Sequence, residues 1–172
     1  VLFGDFNPSG KLPVTFYRST DQLPDFEDYS MKNRTYRYMT EAPLFPFGYG
    51  LSYTTFDISK GRLNKKTISA GQDLNFKVNV KNTGKYDGAE VIQVYVRKVD
   101  DAEGPIKSLR AFRRVPLKAG ETCVVSIDLL PTTFEFFDPT TNTMRIMPGK
   151  YEIMYGNSSD IPSGNKLSVT LR

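Results

Sequence analysis

Short runs of alternating apolar and polar residues limit the fold of this chain more than any other feature. From about Thr55 onward, these runs recur between turn signals at intervals of roughly 8–20 residues, which is the pattern of half-buried strands. The clearest runs cover residues 74–80, 92–96, 125–129, 151–155 and 167–171. No stretch of a dozen residues has helical periodicity. The pattern therefore predicts an all-β domain with little helix.

The predicted domain is an antiparallel β-sandwich of the immunoglobulin-like class, in its fibronectin type III-like form. About seven strands in about 100 residues are typical of such sandwiches. An immunoglobulin domain proper has a core Trp and a disulfide between its sheets, whereas this chain has no Trp and only one cysteine, Cys123. The run at 92–96 is apolar on both faces, so we expect it in the middle of a sheet.

Residues 1–50 differ from the rest because Pro and Gly interrupt them throughout. The interruptions include Pro8, Gly10, Pro13, Pro24, Pro43, Pro46, Gly48 and Gly50. Proline fixes φ and removes a backbone donor, so such a segment does not build a core of its own. We predict an extended, mostly irregular arm and linker at 1–50, with one strand from Leu12 to Phe16, followed by the sandwich at 51–172.

Composition excludes several classes of site. The chain has no His, which removes Ser-His-Asp triads, Cys-His dyads and most zinc sites, and we expect neither a metal nor a cofactor. The net charge of +4 reflects only 23 basic against 19 acidic residues, so nucleic-acid binding is not predicted. No run reaches the roughly 18 apolar residues of a membrane span. The chain begins without Met or a basic leader, and we interpret it as part of a larger mature protein.

Two groups of charged residues have a functional and a plainer interpretation. Carboxylate pairs are what a glycosidase without His requires. However, the candidates lie in polar loops that offer no apolar pocket to separate their pKa values; they are Asp25, Glu27, Asp28, Asp100, Asp101 and Glu103. The basic stretch from Pro105 to Val115 has mixed faces, so we predict a solvated edge strand protected by its charge, with an anion-binding groove as the alternative.

A polar patch in the arm alternates cations with aromatic rings, at Arg34, Tyr36, Arg37 and Tyr38. Arginines can donate to hydroxyls or a carboxylate while a tyrosine ring stacks on a sugar face, so these four residues are the candidates for substrate binding. The alternative is that the arginines anchor the arm to acidic neighbours through paired hydrogen bonds.

Several strings occur in a fixed order that is distinctive as a set. The first run from Val1 to Phe16, from Arg34 to Tyr38, and from Pro46 to Phe56. Later ones are Asn82-Thr83-Gly84, Gly88-Ala89-Glu90-Val91, Leu109-Arg110-Ala111-Phe112, Lys118-Ala119-Gly120-Glu121 and the segment from Pro148 to Asp160. In this order they resemble the end of glycoside hydrolase family 3 enzymes of the β-glucosidase and β-xylosidase type, which commonly finish in a fibronectin type III-like domain.

The resemblance implies a retaining exo-β-glycosidase with an aspartate nucleophile in an N-terminal barrel and an acid/base glutamate in an α/β sandwich domain. Both would lie upstream of Val1, so no catalytic residue is expected here and the chain alone is expected to be inactive. Residues 1–50 would be the tail end of the missing α/β domain. The implied partners are the upstream domains and the oligosaccharide substrate, and a periplasmic or extracellular location is favoured.

We interpret the sandwich as a scaffold that clamps the arm and the α/β domain, so that active-site loops keep their geometry. One alternative is a carbohydrate- or polymer-binding module built from exposed tyrosines such as Tyr86 and Tyr95 with the basic stretch. Another is an interaction module with no enzyme attached. The predicted strand from Leu12 to Phe16 would lack its partner sheet in this chain, so we expect it to be able to pair with a second copy.

Overall fold

Ten β-strands follow one another from Phe56 onward in the computed structural model, which describes residues 1–172. They are β1 (Phe56–Leu63), β2 (Thr67–Ile68), β3 (Leu74–Asn82), β4 (Gly88–Lys98), β5 (Ser108–Leu117), β6 (Thr122–Leu129), β7 (Glu135–Asp138), β8 (Thr143–Ile146), β9 (Gly149–Gly156) and β10 (Lys166–Leu171). The helical parts are one turn, α1 (Thr35–Tyr38), and 3-10 turns at Thr20–Gln22 and Pro131–Phe134. None of them is long and apolar enough to cross a membrane.

Two sheets pack face to face and form the sandwich that the alternation predicts. One is three-stranded and antiparallel, in the order β1-β3-β6, and the other is five-stranded, in the order β2-β10-β9-β4-β5. Only the pair between β10 and the two-residue β2 is parallel. The strands β7 and β8 form a separate antiparallel hairpin. Beyond the seven strands expected, the additional ones are therefore the short β2 and this hairpin.

Alternating side chains from both sheets meet in one apolar core of 20 buried residues. The ring centroids of Phe76 on β3 and Tyr155 on β9 are 5.1 Å apart, and each side chain comes from a different sheet. The backbone N–H of Gly61 donates to the Tyr155 hydroxyl at 3.0 Å, so this polar atom is paired. Burying one large apolar side chain contributes roughly 1.5–3 kcal/mol, which makes this layer the main source of stability.

The strand β4 is central and buried on both faces, as its apolar run predicts. It lies between β9 and β5. Ile92 and Val94 enter the core between the sheets. Gln93 and Tyr95 lie on the opposite face and are only 3% and 0% exposed. A strand of a two-layer sandwich normally meets water on that face, so another part of the chain must cover it.

The strand β5 is an edge strand, as the basic stretch predicts, but it is not regular. It pairs only with β4. Ala111 is opposite Val94 and Leu109 is opposite Tyr95, so Arg110 has no opposite residue. This is a β-bulge, which redirects the side chain of the extra residue.

The bulge makes the prediction of a solvated strand wrong for Arg110. Its guanidinium lies 4.8 Å above the ring of Phe136 and donates to the backbone carbonyl of Glu135. Burial lowers the pKa of Arg110, and the charge of a nearby arginine lowers it further. Arg113 and Arg114, three and four residues further along β5, are exposed as expected.

The predicted strand from Leu12 to Phe16 is wrong, because the segment pairs only at isolated points. Leu12 donates its backbone N–H to the carbonyl of Tyr49 at 2.8 Å. Phe16 forms a single antiparallel bridge with Phe45. Pro13 lies between these contacts and has no N–H to continue a ladder. The rest of the arm before Phe56 contains no strand, as expected.

Candidate functional site

The arm covers the outer face of the five-stranded sheet, and we call this contact the arm junction. Its rim is closed by backbone hydrogen bonds from Ser159 to the carbonyl of Phe47 and from Ile106 to the carbonyl of Arg37, each 2.8 Å long. Its interior is formed by Lys11, Tyr36, Phe47 and Gly48 of the arm and by Glu90, Gln93, Tyr95, Leu109 and Asn157 of the sandwich.

Aromatic rings form the centre of the arm junction. The ring of Tyr36 in α1 stacks on Phe47, with centroids 4.3 Å apart and an angle of 21° between the planes. The same ring meets Tyr95 of β4 edge-on at 5.7 Å and 73°. Its hydroxyl accepts a hydrogen bond of 3.1 Å from the backbone of Leu109. Aromatic pairs in these geometries contribute about 0.5–1.5 kcal/mol beyond the area they bury.

The amide of Gln93 is the polar link of the arm junction. Its Nε2 donates to the carbonyl of Gly48 at 3.1 Å and to that of Asn157 at 2.7 Å. Its Oε1 accepts from the Tyr95 hydroxyl at 2.6 Å. Burial raises the pKa of Tyr95, and Tyr36 raises it further. The Gln93 side chain therefore joins β4, the arm and the loop after β9 without leaving a buried donor unpaired.

A nearly buried ion pair holds the edge of the arm junction. The Nζ of Lys11 lies 2.5 Å from Oε1 of Glu90, whose residue is 5% exposed. The second carboxylate oxygen of Glu90 accepts from Nδ2 of Asn157 at 3.0 Å. A buried carboxylate is stable only when its oxygens are paired in this way.

The four predicted substrate residues do not converge on one site. Tyr36 is used in packing, as described above. Arg34 turns back to its own loop and donates to the carbonyls of Ser30 and Asp28, which caps that loop. Arg37 is exposed, and its guanidinium carbon lies 5.9 Å from the ring centroid of Tyr38. Of the four, only Tyr36 lines a cleft beside the junction, of about 430 Å³.

The candidate acidic residues lie in loops, where the oxygens of several of them accept local backbone N–H groups. The Oδ1 atoms of Asp25 and Asp28 accept from Glu27 and Ser30 at 2.9 and 2.8 Å. Hydrogen bonding from Ser30 lowers the pKa of Asp28. Asp101 likewise accepts from Gly104 at 2.8 Å. This arrangement shapes turns and offers no acid/base pair.

The remaining candidate groups, which are metal ligands, the single cysteine and two tyrosines, do not form a site either. No group of three or more His, Cys, Asp or Glu side chains is arranged to hold a metal ion. Burial raises the pKa of the Cys123 thiol, which disfavours the reactive thiolate. The prediction that Tyr95 is exposed is wrong, since the arm covers it, whereas Tyr86 is exposed.

Sequence reasoning missed Lys11, Glu90, Gln93 and Asn157. One signal was available for Gln93, because a polar residue inside the apolar run Val91-Ile92-Gln93-Val94 requires a buried partner. Nothing in the spacing links Lys11 to Glu90, which are 79 positions apart by their residue numbers.

Two family models match parts of the chain. Residues 90–159 match the model of the fibronectin type III-like domain, and residues 1–53 match the glycosyl hydrolase family 3 C-terminal domain. A xylan 1,4-β-xylosidase of Xylanibacter ruminicola is 54% identical over 171 residues, which is 99% of this chain and 20% of that relative. A periplasmic β-glucosidase of Salmonella typhimurium is 40% identical over 92% of this chain and 22% of its own length.

Solved structures show the same similarity. A β-glucosidase from Erythrobacter marinus has a TM-score of 0.82 at 37% identity, over 100% of this chain and 23% of that chain. The β-glucosidase from Listeria innocua in complex with isofagomine has a TM-score of 0.79 at 32% identity, over 99% of this chain and 25% of that one.

The fold and the arm junction define a fibronectin type III-like domain with a preceding arm bound to its outer face. The chain belongs to glycoside hydrolase family 3, and it corresponds to the C-terminal part of the β-glucosidases and β-xylosidases of that family. It spans about a fifth of the length of the curated relatives it matches.

We predict that Gly48→Ala destabilises the chain more than Gly120→Ala. Both glycines have a positive φ, +77° and +76°, so both substitutions carry similar backbone strain. A Cβ on Gly48 would lie 2.1 Å from Oε1 of Gln93, whereas one on Gly120 would meet nothing within 4 Å. Urea unfolding should give an additional loss of about 1–3 kcal/mol for Gly48→Ala, since Gln93 must give up its partners. Equal losses for the two variants would contradict this account of the junction.

We predict that stability falls as the pH rises above about 10. Burial raises the pKa of Tyr151 from 10.0 to about 12 and raises that of Tyr95 as well. The unfolded chain therefore releases these protons before the folded chain does, so the free energy of unfolding decreases from pH 10 upward. In urea titrations at stepped pH, Tyr95→Phe should show a shallower decrease. The exposed-ring control Tyr86→Phe should keep the original slope, and a Tyr95→Phe variant with that slope would contradict the prediction.

Proposed function

We propose that this chain is the non-catalytic C-terminal scaffold of a retaining exo-β-glycosidase that hydrolyses β-glucosides or β-xylosides. The arm junction is the observation that carries the proposal. It fixes the arm to the sandwich through stacked rings, a buried amide and an ion pair, which is the arrangement expected of a brace. The names of the relatives supply the reaction class. The catalytic carboxylates would lie in upstream domains, since no acid/base pair is assembled here.

The uncovered side of the arm has exposed apolar residues, which supports the proposal that a domain upstream packs against it. Leu2 and Phe3 are 93% and 92% exposed. Next to them is an apolar hollow of about 610 Å³, whose lining includes Val1, Leu12 and Phe16. Exposed apolar surface of this extent marks an interaction site. We propose that residues 1–50 complete an α/β domain on this side, and that residues 51–172 form the sandwich that holds them in place.

Substrate contact by Arg34, Tyr36, Arg37 and Tyr38 stays a proposal for the longer protein. Arg37 suits this role best, because its side chain is exposed and has no carboxylate partner within 4.0 Å. In the longer protein, Arg37→Gln should raise KM several-fold and leave the unfolding midpoint unchanged. An unchanged KM would remove Arg37 from the substrate site.

Three further statements remain proposals. A carbohydrate-binding module built on Tyr86 and Tyr95 is the alternative function, and the burial of Tyr95 weighs against it. Self-association through Leu12 to Phe16 would have to use their apolar surface, since the backbone of both residues is already bonded within the arm. A periplasmic or extracellular location is supported by the name of one relative.

Activity assays test the scaffold proposal directly. The 172-residue chain should give background rates with nitrophenyl β-glucoside and nitrophenyl β-xyloside, whereas the longer protein should turn over at least one of them. Turnover by the chain alone that a single Asp or Glu substitution abolishes would overturn the proposal.

The bracing role is tested in the longer protein by a double-mutant cycle. Lys11→Met should cost about 3 kcal/mol, because the buried Glu90 would lose its ion-pair partner, and Glu90→Gln should restore part of this loss. The unfolding midpoint and resistance to heat inactivation should fall while KM stays constant. A higher KM at an unchanged midpoint would assign the junction to substrate binding instead.

A further inference from the structure

A half-enclosed cleft lies beside the arm junction, and bracing does not require it. Its volume is about 430 Å³, within the range of about 300–1,000 Å³ that small-molecule sites occupy. The arm and the sandwich both contribute to its wall. The residues that decide its chemistry are Arg18, Tyr36, Met39, Glu41, Lys107 and Asp160.

The charges in the cleft are balanced but not paired. Arg18 and Lys107 supply two cations, and Glu41 and Asp160 supply two carboxylates. The two ion pairs of the structure involve none of these four residues. An anionic ligand would meet the two carboxylates and a cationic ligand would meet the two cations. The balance therefore favours a neutral ligand that offers both donors and acceptors.

Lys107 has donors available for such a ligand. An ammonium group has three N–H donors, and the structure uses one of them, from Nζ to the carbonyl of Ser159 at 2.6 Å. No carboxylate lies within 4.0 Å of this half-buried group. Burial lowers the pKa of Lys107, while the charge of Asp160 raises it and that of Lys166 lowers it. An acceptor from a ligand would compensate part of this desolvation.

The rest of the cleft wall combines apolar side chains with the hydroxyl groups of Thr15, Thr40 and Ser159. Its apolar part comes from the buried Met39, from Pro43, Leu44 and Pro46, and from the ring of Tyr36. A ligand that fits must therefore combine C–H faces with a ring of hydroxyl groups. A pyranose has this amphipathic character, whereas ions and purely apolar molecules do not.

We propose that this cleft binds a pyranose unit of a neutral oligosaccharide. Lys107 and Arg18 donate to its hydroxyl oxygens, and Glu41 and Asp160 accept from its hydroxyl protons. The site is distinct from any site built on Tyr86 and Tyr95. Because its walls come from both the arm and the sandwich, a bound sugar also strengthens the attachment of the arm.

A titration of the 172-residue chain with xylobiose and cellobiose tests the proposal. Two-dimensional amide NMR should show saturable shifts at Tyr36, Thr40, Lys107 and Ser159 at millimolar sugar. Lys107→Met, which keeps the apolar stem, and Asp160→Asn, at an exposed position, should each weaken binding about tenfold. The control Lys65→Met removes the same charge as Lys107→Met from an exposed residue outside the cleft, and should bind as the original chain does.

The proposal is overturned if neither sugar shifts these resonances, if the shifts map to another surface, or if both cleft variants bind as the original chain does. The choice of these two probes rests on the proposed function. The outcomes remain distinguishable, because the scaffold role is judged from the activity and unfolding midpoint of the longer protein and the cleft from binding to the chain alone.

Discussion

The hydrogen bonds of the Gln93 side chain join three parts of the chain that are far apart in sequence: the arm at Gly48, the strand β4, and the loop at Asn157. They are needed because β4 is buried on two faces while the second sheet of the sandwich covers only one. A buried amide without partners costs about 1–3 kcal/mol. The sandwich can place a polar side chain at this position only because the arm supplies a carbonyl there.

The same constraint explains why the arm has a definite structure. The 55 residues before β1, which include the arm, contain no strand and only short helical turns, so they gain little from regular backbone hydrogen bonding. Their order comes instead from contacts at the sheet, where Tyr36 stacks on Phe47 and meets Tyr95 edge-on, and where Lys11 pairs with Glu90. The prolines restrict the backbone of the arm to irregular, extended conformations. Contacts with the sheet then stabilise one of these conformations.

The strands were predictable where the cause is local. The alternation at 74–80 corresponds to β3, and the apolar run at 92–96 correctly indicates a central strand, because side-chain period and burial are both encoded within a few residues. The failures have non-local causes. The bulge that redirects Arg110 depends on the register between β4 and β5, and the burial of Tyr95 depends on an arm nearly 60 positions earlier. Pro13 is a local signal against a strand from Leu12 to Phe16, because it has no N–H to donate to a ladder.

The positive φ of Gly48 also bears on how such domains can be exchanged between proteins. At this glycine the backbone lies so close to the amide of Gln93 that a Cβ would displace the amide, so the linker and the sheet must be complementary at this point. A chimera cut between residues 50 and 51 would combine a linker and a sheet that have not been matched to each other. A graft that carries the arm from Lys11 onward together with the sandwich keeps these contacts, so the two parts should be transferred as one unit.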